Sequence, residues 1–421
     1  MAKRYYLWVL GCQMNEADAN KIAEVLARSG WQWIDREIYA DLIVVVACSI
    51  KQTVINSIIG KAYEWRERRQ AGGLKAILTG CVLDQDQGKF RLLFDEILPI
   101  SEISRLAELI PAANDSPADP AGLAPAWRAL IPISNGCSNY CSYCVVPYTR
   151  GPEKSRAADL IITECRQAIA GGTREIILLG QNVNSYNDTG SGFDFPALLS
   201  AIDSLEGDYR LRFVSSHPKD LSEELLKVMA ASRHVAPHLH LALQAGDDEI
   251  LNRMNRRYTA EHFLTLVKRA RDLMPDLAFS TDIIVGFPGE TEQQFLKTAA
   301  VLEELALDMA YISPYSQRAG TAAVKLVDDV PLAEKKARVK KLNDILRRTA
   351  LANNLKYVGR VERILVDGYK QGRCFGQTGS HKVTAFAGSP DLLGRFVEVE
   401  ITAARPFSLS GIIAGLDNQA N

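Results

Sequence analysis

The chain has 421 residues, of which 47% are hydrophobic and 24% charged, and its formal net charge is −1. That is too long for one ordinary core, so roughly two or three domains are expected, in a composition normal for a globular protein. No apolar run is long enough to span a bilayer, and the start, MAKRYYLWVLGC, lacks a signal-like cleavage site. The expectation is a cytoplasmic protein with no membrane partner, whose clustered thiols bind metal or do chemistry rather than form disulfides.

The first segment runs to about residue 110. YYLWVLG, DLIVVVA and KAILTG are short β-rich apolar runs fit for buried strands. NEADANKIAEVLARSG lies between the first two, with Ile22, Val25 and Leu26 on one helical face and Gly30 as a stop. Strand, helix and strand in succession predict a small parallel α/β domain over 1–110. Residues 111–126, PAANDSPADPAGLAPA, hold almost no large apolar side chain and read as a linker.

From Trp127 the alternation resumes and repeats. The strand candidates are RALIPIS, REIILLG, YRLRFVSS, HLHLALQ, LAFSTDIIVG and MAYISPYS, with helical stretches between them. Six β/α units are too few for a closed eight-stranded barrel. They predict an open, partial (β/α)6 barrel over 127–356, with its chemistry at the C-terminal strand ends.

A basic helix ends that stretch, and 357–416 changes to alternation with glycine turns, predicting a small all-β barrel. Between 331 and 416 there are fifteen Lys/Arg and seven Asp/Glu, a net of +8, which leaves the remainder at about −9. One basic end on an acidic chain suits either a polyanionic partner or a solvated charged helix.

GCSNYCSYC, residues 136–144, places Cys137, Cys141 and Cys144 directly after the first barrel strand. A zinc site would want a fourth Cys or His nearby. The next thiol, Cys165, lies on the apolar face of a helix with Ile161, Ile162 and Ile169, so it reads as core. Three thiolates instead suit a 4Fe–4S cluster with one iron left open, whereas electron-transfer clusters usually take four cysteines. Cys12, Cys48 and Cys81 each follow one of the three N-terminal strand candidates. If those strands are parallel neighbours, the three thiols share one sheet edge, where open α/β sheets place ligands, and a second cluster is natural there.

The C-x3-C-x-x-C spacing, with aromatic Tyr143 before the last cysteine, resembles the signature of the radical S-adenosylmethionine superfamily. The resemblance implies that the open iron chelates the methionine part of S-adenosylmethionine. It also implies that reduction, by an external flavodoxin-like or ferredoxin-like donor, gives a 5′-deoxyadenosyl radical. Taken with Cys12, Cys48 and Cys81, the chain resembles the methylthiotransferase family over nearly its whole length. This implies an auxiliary 4Fe–4S cluster that carries or supplies sulfur, and a C-terminal TRAM domain that binds RNA.

GCQMNEAD, CSYCVVPYTRG, LLGQNVNSY, SSHP, MNRRYT and STDIIVGFPGETE are similar to the branch that modifies isopentenyladenosine beside the tRNA anticodon. Branches acting on threonylcarbamoyl-adenosine or on a ribosomal protein are the alternatives within the class. A non-catalytic iron–sulfur RNA-binding protein is the alternative from another class.

The expected S-adenosylmethionine contacts are Tyr143 in the cysteine loop and residues at strand ends: Gln181 and Asn182 after the second barrel strand, Gln244 after the fourth, and Asp282, Gly286 and Gly289 in DIIVGFPGE. The two glycines would let backbone approach the adenine closely. Arg150, Lys154 and Arg156, just past the cluster loop, are candidates for substrate phosphate, and His217 for orienting substrate. His238 and His240 share a strand face, but the clusters already account for the metal chemistry. The aromatics of the last segment, Tyr369, Phe375, Phe386, Phe396 and Phe407, suit either base stacking or a small core. The sequence departs from the family pattern at Val46–Ala47, after Cys81, at Ala242 and Ala245, and at Pro152.

Overall fold

The computed structural model describes residues 3–48, 52–113 and 125–415. Most of the linker expected at 111–126 lies outside the described residues.

The N-terminal sheet has five parallel strands, with β1 (Arg4–Val9), β2 (Leu42–Cys48) and β3 (Lys75–Cys81) adjacent at its centre. All seven residues of β2 are buried, as expected of a central strand covered on both faces. One face packs on α1 (Gln13–Arg28) through Ile22, Ala23 and Leu26. The other packs on α2 (Gln52–Glu64) through Ile55 and Ile58, with Trp65, Phe90 and Phe94 closing that layer. Cys48 and Cys81 are register partners at the sheet's C-terminal edge, and Cys12 lies at the same edge, between β1 and α1.

Six parallel strands follow: β4 (Arg128–Pro132), β5 (Glu175–Leu179), β6 (Arg210–Phe213), β7 (His238–His240), β8 (Ala278–Val285) and β9 (Met309–Pro314). They pair as two three-stranded halves, β6-β5-β4 and β7-β8-β9. Single parallel bridges, Leu211 to Val235 and Ser216 to Leu241, join the halves into one partial barrel. Helices α3 (Ala158–Ala170), α4 (Phe195–Asp203), α5 (Glu223–Ala231), α6 (Ala260–Leu273) and α7 (Glu292–Leu305) return the chain between strands. Their inward faces share one core with the strands, Cys165 among them, as its apolar neighbours predict. The inner face of the barrel is covered in part by the N-terminal domain: Met14 and Ala17 of α1 pack on Leu130, Ile177 and Leu179.

The basic helix α8 (Leu332–Leu355) leans on β9 and leads into a closed five-stranded barrel. Its strands are β10 (Val361–Lys370), β11 (Arg373–Gln377), β12 (Val383–Ala387), β13 (Phe396–Arg405) and β14 (Ser408–Ile413). Ile364, Val366, Phe386, Val399, Ile401 and Leu409 fill it. Of the five aromatics, Phe386 is core, Phe396 lies under the guanidinium of Arg363 at 3.8 Å, and Tyr369 and Phe407 are exposed.

This small barrel docks at the N-terminal ends of the large barrel's strands. Arg210, the first residue of β6, donates to the carbonyls of Gln377 at 2.8 Å, Thr378 at 3.1 Å and Arg363 at 2.8 Å. Arg212 donates to Thr378 O at 2.8 Å and pairs with buried Glu175 at 2.9 Å. Replacing Arg210 with Ala takes the arginine donor from the carbonyls of Gln377 and Arg363, while Thr378 O keeps Arg212. The expected cost is on the order of 2–3 kcal/mol, read as a lower denaturation midpoint together with faster protease cleavage near residue 357.

Candidate active site at the strand ends

The loop from Gly136 to Gly151 carries three of the cysteines and closes on itself, Cys137 N–H donating to Gly151 O at 3.1 Å. A second segment, 253–255, pins it from outside. Ser142 donates through Oγ to Arg253 O at 2.8 Å and through its amide to Met254 O at 2.9 Å, and Asn255 Nδ2 donates to Tyr140 O at 2.9 Å. Tyr140 takes a positive φ of 48°, an uncommon conformation for a bulky residue. Tyr143 turns inward and packs against a cluster containing Ala245, Phe287 and Tyr315.

Burial pushes three of these thiols upward: Cys144 to about 12, Cys81 to about 11, and Cys137 in the same direction. Thiolates are the form that binds iron, so a cluster held by such thiols would release protons as it assembled. Each set has a donor aimed at it. Arg256 Nη1 lies 3.4 Å from Cys141 Sγ, and Arg150 Nε lies 3.0 Å from Cys81 Sγ. Among the described residues, no three Cys, His, Asp or Glu side chains converge at single-ion spacing. A four-iron cube is wider than one ion, so its ligands stand further apart, and three-thiol sets with cationic neighbours fit it.

The strand ends hold buried polar atoms without a protein partner. They are Ser134 Oγ after β4, Gln181 Oε1 and both amide atoms of Asn184 after β5, Ser216 Oγ after β6, Gln244 Oε1 after β7, and the Tyr315 hydroxyl after β9. Buried polar atoms are normally satisfied, so this ring fits a polar ligand. Ser215 and Gln244 also sit at positive φ, 67° and 70°, a strain that concentrates at ligand sites.

The expected contacts fall into two groups. Gln181, Gln244 and Tyr143 line this ring or the loop beside it, and Asp282 Oδ2 meets His240 Nε2 at 3.2 Å with its side chain 42% exposed. Asn182, in contrast, is engaged within the protein: its Nδ2 donates to Asp220 at 2.6 Å and its Oδ1 accepts from His217 N–H at 3.2 Å. Gly286 and Gly289 do not open the backbone to a ligand. Their amides donate to Glu290 at 2.5 Å and Asp329 at 2.6 Å, and a side chain at either would collide with Lys335 or Arg253. Their positive φ serves close packing instead, of Gly286 on Lys335 of α8 and of Gly289 on Arg253.

The phosphate candidates also divide. Lys154 is exposed beside the loop. Arg156 donates to Pro132 O at 2.5 Å and pairs with Glu164 at 2.7 Å, which fixes it to the scaffold. Arg150 is buried, 8% exposed, and bonded to Asp18 at 2.7 Å, so a solvent phosphate cannot reach it. His238 and His240 share Ser280 Oγ at 2.9 Å each, a hydrogen-bonded line rather than a metal site.

His217 is buried, its Nδ1 accepting from Lys219 N–H at 3.2 Å and its ring edge-on to Tyr258 at 5.5 Å. Arg256, Asn15 and Asp18 escape sequence reasoning, although MNRRYT and GCQMNEAD contain them. Paired arginines in the first and an Asn–Asp pair beside Cys12 in the second are the available signals.

Three domain patterns match the chain: Uncharacterized protein family UPF0004 over 4–98, the Radical SAM superfamily over 131–302 and the TRAM domain over 355–414. The chain is 38% identical to a tRNA-2-methylthio-N(6)-dimethylallyladenosine synthase of Syntrophomonas wolfei, covering 97% of each chain. It is 37% identical to the protein of that name from Carboxydothermus hydrogenoformans, covering 98% of this chain and 99% of the relative. A solved radical S-adenosylmethionine methyltransferase from Kitasatospora setae shares the fold at 15% identity, with a TM-score of 0.53 over 75% of each chain. Fold and loop together define a radical S-adenosylmethionine enzyme, for which one 4Fe–4S cluster and S-adenosylmethionine are the implied cofactors. Within that class the chain belongs to the family of the tRNA-2-methylthio-N(6)-dimethylallyladenosine synthases.

Burial and the cations Arg256 and Lys219 hold the His217 ring down at about 2, so it is neutral in the fold. The unfolded chain binds that proton below its ordinary value near 6.5 and the folded one does not, so stability falls as pH drops from about 6.5 toward 2. Wild type is expected to be more stable than His217→Gln at pH 7. That margin should narrow by at most about 1.4 kcal/mol per pH unit below 6.5. Urea denaturation of both proteins across pH 7 to 5 measures it.

Proposed function

We propose that the chain inserts a methylthio group at C2 of N6-isopentenyladenosine beside the anticodon of tRNA. The observation that carries this reading is the pair of three-cysteine sets, each at the C-terminal end of its own parallel sheet, with Arg150 of the cysteine loop reaching Cys81 of the other set. A radical enzyme of simpler chemistry needs only one such set.

Cys137, Cys141 and Cys144 would hold a 4Fe–4S cluster with an open iron. With bound S-adenosylmethionine and one electron, that cluster supplies a 5′-deoxyadenosyl radical. Cys12, Cys48 and Cys81 would hold an auxiliary 4Fe–4S cluster as the sulfur carrier. The chain's own residues orient the parts. Gln181 and Gln244 offer unpartnered carbonyl oxygens to S-adenosylmethionine, Asp282 an accepting carboxylate, and Tyr143 a packed wall behind the loop. His217, neutral, braces Tyr258 and with it Arg256. Lys154 is the phosphate contact that stays open to solvent.

The division of labour follows the domains: 1–110 for sulfur, 127–356 for the radical, 357–416 for RNA. The electron would come from a flavodoxin-like or ferredoxin-like protein in the cytoplasm. Among the described residues no helix is long and apolar enough to cross a membrane.

Three measurements test this. Anaerobically reconstituted wild type should carry about eight irons and a Cys12/Cys48/Cys81→Ala variant about four; about four in both would remove the second cluster. Nucleosides from the tRNA of a deletion strain should lose 2-methylthio-isopentenyladenosine and accumulate isopentenyladenosine. Persistence of the methylthio form would overturn the substrate. Gln244→Leu should weaken S-adenosylmethionine binding about tenfold, by the loss of one buried hydrogen bond, measured by equilibrium dialysis.

A further inference from the structure

Arg150 belongs to the large barrel, six residues past Cys144, yet its guanidinium lies among the N-terminal cysteines. Nε donates to Cys81 Sγ at 3.0 Å, Nη1 to Asn135 Oδ1 at 3.0 Å, and Nη2 to Asn15 Oδ1 at 3.1 Å and Asp18 Oδ2 at 2.7 Å. The side chains of Arg150 and Asp18 are 2% and 9% exposed. Burying an ion pair between two domains is costly and rarely improves on well-packed apolar residues. Stability therefore gives this arrangement little reason to exist.

Asn15 supplies the missing reason. Its Nδ2 donates to Leu10 O at 2.7 Å and Ala47 O at 2.8 Å, which fixes the amide and turns Oδ1 toward the thiols. That oxygen lies 3.8 Å from Cys12 Sγ and 4.0 Å from Cys81 Sγ. Arg150 caps the same oxygen and donates to Cys81 Sγ, so its positive charge is held against the cysteine set.

We propose that Arg150 is the charge partner of the N-terminal iron–sulfur site, its guanidinium donating to a ligand sulfur and raising the site's reduction potential, with Asp18 as the opposing charge. The inference rests on the reading of Cys12, Cys48 and Cys81 as cluster ligands. Hydrogen bonds to ligand sulfur and added positive charge both favour the reduced cluster, and a carboxylate beside the cation offsets them. Arg150 acts through Cys81 and is a positioning residue.

The test uses full-length chain with Cys137, Cys141 and Cys144 replaced by Ala, so that only the N-terminal site reports. Its midpoint potential is followed by electron paramagnetic resonance during anaerobic redox titration. Arg150→Gln should shift the reduction equilibrium against the reduced form by about tenfold, about 59 mV for one electron. Asp18→Asn should shift it the other way, and Arg150→Lys should fall between parent and Gln. A purely structural role predicts loss of cluster in all three variants without opposed shifts. If Arg150→Gln fails to assemble a cluster, the opposed signs expected of Asp18→Asn and Arg150→Lys still decide. Unchanged potentials, or shifts of one sign, overturn the proposal. Absence of iron from the parent overturns the cluster reading, and this inference with it.

Discussion

A parallel strand covered on both faces exposes only its ends to chemistry. This chain uses that constraint in two sheets. β2 and β3 are buried along their length and release Cys48 and Cys81 at aligned positions. β4 is likewise followed by the loop that carries Cys137, Cys141 and Cys144. The rest of the molecule holds these two edges in apposition. α1 lies on the inner face of the large barrel through Met14 and Ala17, and Arg150 ties the cysteine loop to the sheet edge.

Much of this architecture is legible in the sequence because its strands are short, apolar and bounded by glycine or polar turns. DLIVVVA and REIILLG leave little room for another reading, and strand–helix alternation fixes the parallel sense. What stays hidden is the direction of long side chains. Arg150 reads as a solvent-facing phosphate ligand from its neighbours, TRGPEKSR, and turns inward because Asp18 and Asn15, more than a hundred residues earlier, are waiting for it. Asn182 is lost to Asp220 for the same reason. Gly286 and Gly289 mark close approach correctly but name the wrong visitor: side chains from 253 and 335 fill the space assigned to adenine.

The polar surroundings differ between the two cysteine sets. Around the loop, the polar partners come from segment 253–258 of the same barrel. Around the N-terminal edge, they come from both domains, with Asn15 and Asp18 on one side and Asn135 and Arg150 on the other. The apolar pair Val46–Ala47 that departs from the family pattern is buried in β2, and Ala47 serves through its carbonyl, which fixes Asn15. The polar partners of this edge are therefore carried by α1 and by residues 135 and 150 rather than by the strand itself.

The docking of the small barrel by Arg210 and Arg212 has a metric consequence. It sits at the N-terminal strand ends, whereas both cysteine sets lie at C-terminal ends. β8, eight residues long, separates the two by about 26 Å. Any polymer gripped at one end and altered at the other has to be rigid and long enough to cover that span. The molecule thus acts as a caliper, and a short flexible oligonucleotide could fill one jaw without reaching the other.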